Sequence, residues 1–328
     1  MLRLPRFSYL RPESVAEAAQ ILSEYGPRAR ILAGGTDLLP KMKRGQIEPE
    51  IVVGISHLPE LRQIRGTEDG GFEIGACVTL TEVVASPALQ TAFKGYARAA
   101  ALVSSPALRN SGTIGGNLCV DTRCNYYDES YEWRKALGFC MKKDGNICRV
   151  APASATCRAI ASSDTAPAAI AMKGTVRLVG PNGEREVPVE SLYQDDGQFY
   201  LTKAADEILV SLKMPNPGRW TSSYVKVRNR GTIDFPLVGA AAALQMNGSI
   251  VEDCRIIITA VGPQPLDVSQ AARPLFGRAI DDAILEEVAT EAAKPARPLD
   301  NADISYVWRK RMVRRAVEQA IKEAAEVA

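Results

Sequence analysis

The segment ARILAGGTDLLP, residues 29–40, determines how the rest of the chain is interpreted. An apolar run ends at the paired glycines Gly34 and Gly35, and Thr36 and Asp37 follow. Glycine has no Cβ, so its backbone can approach a phosphate closely, and successive N–H groups can form an anion site. The segment matches neither the dinucleotide motif G-x-G-x-x-G nor the P-loop G-x-x-x-x-G-K-[ST]. It predicts a glycine turn outside those two classes, either a plain turn or an anion site.

A second glycine turn, SGTIGGN at 111–117, follows about eighty residues later. Strand-like runs alternate with helical patterns around both turns, which predicts an α+β chain. The first unit is expected over 1–57 and the second over 58–216. Because the best linker in the sequence is the PNPG segment at 215–218, a third unit of strands and helices is expected over 217–328.

The composition excludes several classes of function. The net charge of +2, from 40 basic and 38 acidic residues, argues against a nucleic-acid protein with a broad basic surface. No apolar run reaches the roughly 18 residues of a membrane span, and the first residues lack an apolar signal region, so a cytoplasmic protein is expected. A basic stretch at 309–315 lies on an apparent helix, where it predicts a solvated face.

The cysteines are clustered in one part of the chain. Cys77 and Cys254 stand apart in apolar contexts that predict buried side chains, whereas the other five cysteines fall between 119 and 157. Four of these have steps of 16, 8 and 9 residues: Cys124, Cys140, Cys148 and Cys157. The spacing lacks the paired C-x₂-C units of zinc knuckles and suits a 4Fe–4S cubane, in which each thiolate reaches one iron. A four-cysteine zinc site and free buried thiols remain as alternatives.

Several motifs in order resemble the FAD-binding subunits of molybdenum hydroxylases, the relatives of xanthine dehydrogenase and carbon monoxide dehydrogenase. They are AGGTDLLP at 33–40, TIGGN at 113–117, SDTAP at 163–167, EILVSLKMP at 207–215, and YVKVRNR with DFPLVGAAAAL at 224–244. The resemblance implies a flavin fold of the p-cresol methylhydroxylase/vanillyl-alcohol oxidase type, with two α+β subdomains. A C-terminal α/β sheet-and-helix domain would follow.

The resemblance also implies which residues bind FAD. The backbone at 32–38 and 113–117 would hold the pyrophosphate, and Asp164 would accept hydrogen bonds from sugar hydroxyls. Lys226 and Leu209 would line the flavin end, with Tyr224 over the ring. The implied set is Leu32, Ala33, Gly34, Gly35, Thr36, Asp37, Leu38, Val103, Thr113, Gly115, Gly116, Asn117, Asp164, Leu209, Tyr224 and Lys226. Taken alone, Asp164 is equally a candidate helix cap and Lys226 a solvated strand residue.

The cysteine segment narrows the resemblance. Asn117 and Asp164 are 47 positions apart, and this separation is short in most flavin subunits of the family. The insertion at about 119–158 resembles that of the 4-hydroxybenzoyl-CoA reductase β subunit, in which four cysteines hold a 4Fe–4S cluster. By this resemblance Cys124, Cys140, Cys148 and Cys157 are the ligands. Cys119 is expected near the flavin but not as a ligand.

The resemblance therefore implies an oxidoreductase subunit with FAD and one 4Fe–4S cluster, and with no catalytic residues of its own. Its partners would be a large molybdenum-cofactor subunit and a small 2Fe–2S subunit in a dimer of heterotrimers. A ferredoxin-like donor would supply electrons for removal of the para-hydroxyl of 4-hydroxybenzoyl-CoA, giving benzoyl-CoA. Two alternatives stay open: the flavin subunit of a hydroxylase for an aldehyde or nitrogen heterocycle, and a zinc-stabilised adaptor without flavin.

Overall fold

The computed structural model describes residues 3–327, and its N-terminal part is a small parallel sheet with two helices. The strands are β1 (Ser8–Leu10), β2 (Ala29–Leu32) and β3 (Ile51–Gly54), and the helices are α1 (Val15–Tyr25) and α2 (Leu38–Lys43). The strand order is β1-β3-β2. Helix α1 begins where the Ser14 side chain accepts a hydrogen bond from the Glu17 N–H. The first glycine turn connects β2 to α2.

The middle part of the chain forms an antiparallel sheet covered by short helices. The strands are β4 (Ile64–Gly66), β5 (Phe72–Gly75), β6 (Thr175–Gly180), β7 (Gly183–Pro188) and β8 (Ile208–Met214), in the order β4-β5-β8-β6-β7. The helices are α3 (Leu80–Ala85), α4 (Pro87–Ala92), α5 (Lys94–Leu102), α6 (Pro106–Arg109), α7 (Ile114–Leu118), α8 (Tyr131–Ala136) and α9 (Thr165–Ala171). The second glycine turn therefore continues directly into α7.

The C-terminal part is an antiparallel sheet with two long helices on one face. It contains β9 (Trp220–Val227), β10 (Val238–Asn247), β11 (Ile250–Thr259), β12 (Leu266–Asp267), α10 (Asp282–Ala293) and α11 (Tyr306–Ala325). Short 3₁₀ turns elsewhere span Gly26–Arg28, Pro59–Leu61, Val189–Leu192 and Ser269–Leu275. The strand order is β12-β11-β10-β9. None of the helices in residues 3–327 has the length and apolar character needed to cross a membrane.

Strand β10 joins the C-terminal sheet to the middle unit. Ala240 and Ala242 pack in the core with α10 and α11, whereas Ala241 and Ala243 pack in the core of the middle unit. Successive side chains of a strand point to opposite faces, so both faces of β10 are buried. The small side chains let helices approach on both sides, and this packing places β9 against α5 and α9.

The basic stretch at 309–315 differs in part from its prediction. Lys310, Arg311 and Arg315 are exposed, as expected of a solvated face. Arg309 is fully buried, where its guanidinium donates to the carbonyls of Leu237, Leu299 and Ala260 and to the Asn301 side chain. The prediction was wrong for Arg309, because its guanidinium donates to three loop carbonyls and one side-chain amide instead of to water.

Candidate functional site

A cleft of about 740 Å³ lies between the N-terminal and middle units. This volume falls within the range of small-molecule sites. Both glycine turns contribute to its wall. The predicted FAD residues in that wall are Leu32, Ala33, Gly34, Gly35, Thr36, Asp37, Leu38, Val103, Thr113, Gly115, Gly116, Asn117 and Leu209.

The glycines allow the two turns to pack closely. A Cβ on Gly34 would lie 1.8 Å from the Ser111 carbonyl oxygen, so the first turn lies directly against the second. A Cβ on Gly115 would lie 2.7 Å from the Cβ of Ala76, just after β5. Neither separation is possible for real atoms, so the cleft wall requires glycine at both positions.

The two turns differ in the backbone donors that they offer. Within residues 3–327, the N–H groups of 34–38 donate to no protein acceptor. In the second turn, Ile114 and Gly115 donate to the carbonyls of Val78 and Ala76, and Gly116 donates to Thr113 Oγ1. Asn117 N–H donates to the Thr113 carbonyl. Thr113 N–H, like those of the first turn, donates to no protein acceptor among the described residues. The first turn therefore provides most of the free donors for an anion, and Thr113 provides one from the second turn.

The cleft wall carries more positive than negative charge. Six cationic side chains line it against three carboxylates: Arg30, Lys41, Arg123, Lys142, Lys143 and Lys203, and Asp37, Glu48 and Asp121. This excess, together with the free N–H groups of the first turn, fits the pyrophosphate of FAD.

Asp164, Tyr224 and Lys226 lie together but outside the cleft wall formed by the described residues. Asp164 accepts from the Tyr224 hydroxyl and the Lys226 ammonium, each over 2.8 Å. Lys226 also donates to the carbonyl of Leu102 and to that of Asp234. Burial raises the pKa of Asp164, and the Lys226 charge opposes this rise.

The contacts of Asp164 and Lys226 decide the two alternatives that the sequence left open for these residues. Asp164 stands at the N-terminus of α9 but makes no capping hydrogen bond, so the helix-cap alternative was wrong. Lys226 is fully buried, so the solvated-strand alternative was also wrong. The carbonyls that Lys226 binds immediately precede Val103 and Phe235, and both of these line the cleft. The group of Asp164, Tyr224 and Lys226 therefore stabilises the segments of the cleft wall that contain Val103 and Phe235.

Asn117 has a structural role besides lining the cleft. Its side-chain oxygen accepts from the Ser163 hydroxyl at 3.0 Å and the Thr165 hydroxyl at 2.7 Å. These bonds connect the end of the glycine turn to the start of α9 and to the backbone around Asp164. The Asn117 side-chain oxygen is therefore used in bonds within the protein.

A network of charges that the sequence did not predict lies between the cleft and the cysteine segment. Asp121 accepts from Lys41 and, over 2.7 Å, from Lys142. Although burial alone would raise it, the ammonium groups of Lys142 and Lys41 hold the pKa of Asp121 at about 2. Arg123 pairs with Asp37 in the first glycine turn. In the sequence, the signal for this network is the basic residues close to the cysteines, such as Arg123 before Cys124 and Lys142 after Cys140.

The four predicted cluster cysteines line one small cavity. Cys124, Cys140, Cys148 and Cys157 are all buried around it. Burial raises the pKa of Cys124 to about 12, with the other three thiols adding to the effect. Burial also raises the pKa of Cys157 to about 11, against the lowering effect of the Lys142 charge. A metal would deprotonate these thiols.

The remaining cysteines lie elsewhere. Cys119 and Cys77 both line the cleft. Cys254 packs in the core of the C-terminal unit. All seven cysteines are free thiols. The set of four is thus distinguished by its common cavity.

Within residues 3–327, no three His, Cys, Asp or Glu side chains are arranged to hold one metal ion. In a cubane each thiolate bonds a different iron, so the four sulfurs stand farther apart than around one ion. Lys142 and Arg149 also line the cavity, where positive charge suits an anionic cluster.

Comparison with known proteins assigns the family. Residues 5–217 match the family model of the FAD-binding domain in molybdopterin dehydrogenase, and residues 222–324 match that of the CO dehydrogenase flavoprotein C-terminal domain. The chain therefore belongs to the FAD-binding subunits of the molybdopterin dehydrogenases. It is an oxidoreductase subunit, and FAD is its cofactor.

Individual relatives agree with this assignment. The carbon monoxide dehydrogenase medium chain of Hydrogenophaga pseudoflava is 30% identical over 320 residues, which cover 96% of this chain and 97% of the relative. The aldehyde oxidoreductase FAD-binding subunit of Escherichia coli is 32% identical over 252 residues, which cover 74% and 79%. A solved carbon monoxide dehydrogenase structure from Hydrogenophaga pseudoflava superposes with a TM-score of 0.82 at 27% identity, over 99% of both chains. The predicted fold class is confirmed.

Proposed function

We propose that this chain is the electron-transfer subunit of a molybdenum-containing reductase that converts 4-hydroxybenzoyl-CoA to benzoyl-CoA, and that it holds a 4Fe–4S cluster besides FAD. One observation carries the proposal: the four cysteines of the insertion converge on a cavity that shares Tyr127 and Lys142 with the flavin cleft. Two redox centres on either side of one wall suit a relay. The proposal includes that this chain is more closely related to 4-hydroxybenzoyl-CoA reductases than to other members of the family.

The residues around the cleft have the roles of a binding site. The backbone of the two glycine turns, 32–38 and 113–117, holds the pyrophosphate, and the free N–H groups of 34–38 and of Thr113 supply the donors. Lys226, Asp164 and Tyr224 stabilise the segment of the wall that contains Val103. Bound FAD supplies a centre that exchanges electrons one or two at a time. The cleft wall contains no histidine, and burial raises the pKa of the Cys77 thiol to about 12, so its thiolate form is scarce. As the resemblance implies, the substrate chemistry takes place on a partner chain.

The four cysteines hold the cluster because their burial, common cavity and neighbouring cations match its needs. The zinc alternative lacks support, since the described residues offer no three-ligand arrangement for a single ion. An adaptor without flavin is also unsupported, because the family binds FAD.

The partners follow from the family. We propose a large molybdenum-cofactor subunit and a small 2Fe–2S subunit, assembled as a dimer of heterotrimers in the cytoplasm. The relatives named as medium chains of carbon monoxide dehydrogenase support an assembly of this kind. A low-potential ferredoxin-like protein donates the electrons, which this chain passes towards the molybdenum subunit.

A second candidate is the flavin subunit of a hydroxylase for an aldehyde or nitrogen heterocycle, with electrons flowing outward. The Escherichia coli aldehyde oxidoreductase subunit favours it, as does the nicotine 6-hydroxylase medium subunit of Paenarthrobacter nicotinovorans, 25% identical over 324 residues. Purified complex should reduce 4-hydroxybenzoyl-CoA with a low-potential donor under the first proposal. Oxidation of aldehydes or heterocycles with an electron acceptor, and no such reduction, would establish the second.

The ligand set is tested by replacing each cysteine in turn by serine in the full chain. Replacement of Cys124, Cys140, Cys148 or Cys157 should lower iron by about four atoms per chain, because loss of one thiolate leaves a cubane labile. Cys254→Ser is the matched control, since this cysteine lies in the C-terminal core, and it should keep its iron. FAD should remain in all five variants. Full iron content in Cys148→Ser would show that the ligand assignment is wrong.

A further inference from the structure

Two side chains form the wall between the flavin cleft and the cysteine cavity. Tyr127 and Lys142 line both spaces, and each is about 95% buried. The Lys142 ammonium lies 5.0 Å from the centre of the Tyr127 ring and 5.5 Å from that of Tyr200. A charge at this position acts on both spaces through protein and not through water. Because the protein interior screens charges weakly, its effect reaches both spaces.

The Lys142 ammonium is held in a fixed position. It donates to Asp121 Oδ1 over 2.7 Å, to Thr122 Oγ1 over 2.7 Å and to the Gly197 carbonyl over 2.6 Å. These bonds use all three of its N–H donors. Lys142 therefore has no donor left for a direct bond to a phosphate or a sulfur, and it acts on its surroundings through its charge.

A short chain of bonds connects this charge to a proposed ligand. The Gly197 carbonyl accepts from Lys142, and the Gly197 N–H donates to the Cys157 carbonyl over 2.8 Å. Cys157 N–H in turn donates to the Asp196 carboxylate over 3.3 Å. The loop at 196–197 thus fixes the ammonium relative to the cysteine segment, so the separation between the charge and the cluster site is constant.

The charges around Lys142 leave a positive balance. Asp121 is shared between Lys142 and Lys41, so this group of three carries one net positive charge. The neighbouring carboxylates Asp37 and Asp128 are offset by Arg123 and Arg44. Nearer the cysteines, Asp196 adds one negative charge and Arg149 one positive charge. The cluster site therefore faces a fixed, incompletely neutralised cation.

We propose that Lys142 is a positioning residue that sets the redox potential of the cluster and thereby the driving force for electron transfer into the flavin cleft. The inference rests on the proposed function. Each one-electron reduction takes one electron from the external donor and adds one negative charge at the cysteine site. The Lys142 charge stabilises that reduced state, so it raises the potential at which the site accepts the electron.

The test is an anaerobic redox titration of the full chain, followed by the electron paramagnetic resonance signal of the reduced cluster. Lys142→Met should lower the equilibrium constant for reduction by a fixed donor on the order of tenfold, or about 59 mV for one electron. Lys142→Arg keeps the charge and should keep the potential. Lys135→Met is the matched control, because it removes an exposed lysine of the same insertion, and it should leave the potential unchanged.

A second variant tests the opposite sign. Asp121→Asn removes the carboxylate that neutralises Lys142, so the potential should rise. An unchanged potential in an iron-loaded Lys142→Met or Asp121→Asn chain would overturn the inference. Loss of iron in both variants would also overturn it, because Lys142 and Asp121 would then serve the fold alone. Absence of any cluster signal in the unaltered chain is a different outcome, and it would refute the proposed function itself.

Discussion

At the scale of single residues, long-range pairs determine which side chains reach the cleft. Lys226 binds Asp164 across 62 positions, and Lys41 binds Asp121 across 80. Local sequence patterns carry no information on partners so far apart in the chain. The resemblance to the flavin subunits therefore implied that Asp164 and Lys226 lie near the flavin, but it did not predict that they contact each other. The turn at Gly34 and Gly35 was easier to predict than these side-chain pairs, because the two glycines end an apolar strand.

Lys226→Met should lower the free energy of unfolding by about 3–5 kcal/mol, because it leaves a buried carboxylate without its partner. Urea unfolding of the full chain measures the change. Lys294→Met is the control, since Lys294 forms an exposed pair with Glu291 and its loss should cost less than about 1 kcal/mol. Equal stability of the two variants would show that the buried pair is not a structural support.

Gly34→Ala should abolish FAD binding. The added Cβ would lie 1.8 Å from the Ser111 carbonyl oxygen, so the two turns must separate and the cleft wall must change shape. The flavin absorbance of the purified chain measures the result. Gly262→Ala is the control, because its Cβ would meet no atom within 4 Å, and it should bind FAD normally. Normal FAD content in Gly34→Ala would show that close packing of the turns is dispensable.

At the scale of elements, the sequence patterns predicted the helices and turns only in part. The residues ASPALQTAFKGYARAAALV at 85–103 predict one helix from their sequence. In the structure this stretch is divided, because Ser86 caps α4 and Phe93 leaves the helical conformation. The second glycine segment was expected to be a turn, and it forms the first turn of α7, capped by Thr113. The cysteine segment contains α8 but is otherwise irregular, so its position depends on contacts such as the Asp121 network.

The Asp121 network predicts how stability depends on pH. The pKa of Asp121 is about 2 in the folded chain and near its ordinary value of 3.8 when unfolded. A carboxylate with a lowered folded pKa stabilises the fold above its unfolded pKa and loses that contribution as the pH falls towards the folded pKa. The stability lost in Asp121→Asn should therefore be about 2 kcal/mol above pH 4, and most of this difference should disappear as the pH falls from 4 to 2.

Unfolding of the two chains across this pH range measures the effect. Asp282→Asn is the control, because this carboxylate is 91% exposed and its loss should change stability little at any of these pH values. A difference between Asp121→Asn and the unaltered chain that stays constant down to pH 2 would contradict the charge network.

At the scale of the whole molecule, the sequence was informative about architecture and less so about the wall between the two sites. The ordered motifs predicted the flavin fold and its C-terminal domain, and the cysteine spacing predicted a common site. The contacts of Tyr127 and Lys142 depend on how the insertion packs on the flavin unit, including the bond to Gly197, 55 positions from Lys142. Packing of this kind is fixed by tertiary structure, and no periodicity or motif encodes it.

The central claim is that one chain holds both FAD and a 4Fe–4S cluster, and the cofactor content of the full chain purified without oxygen tests it most directly. We predict one FAD together with about four iron and four acid-labile sulfide atoms per chain, with no stoichiometric zinc. FAD in a chain that holds no iron, or that holds one zinc ion in its place, would contradict the account.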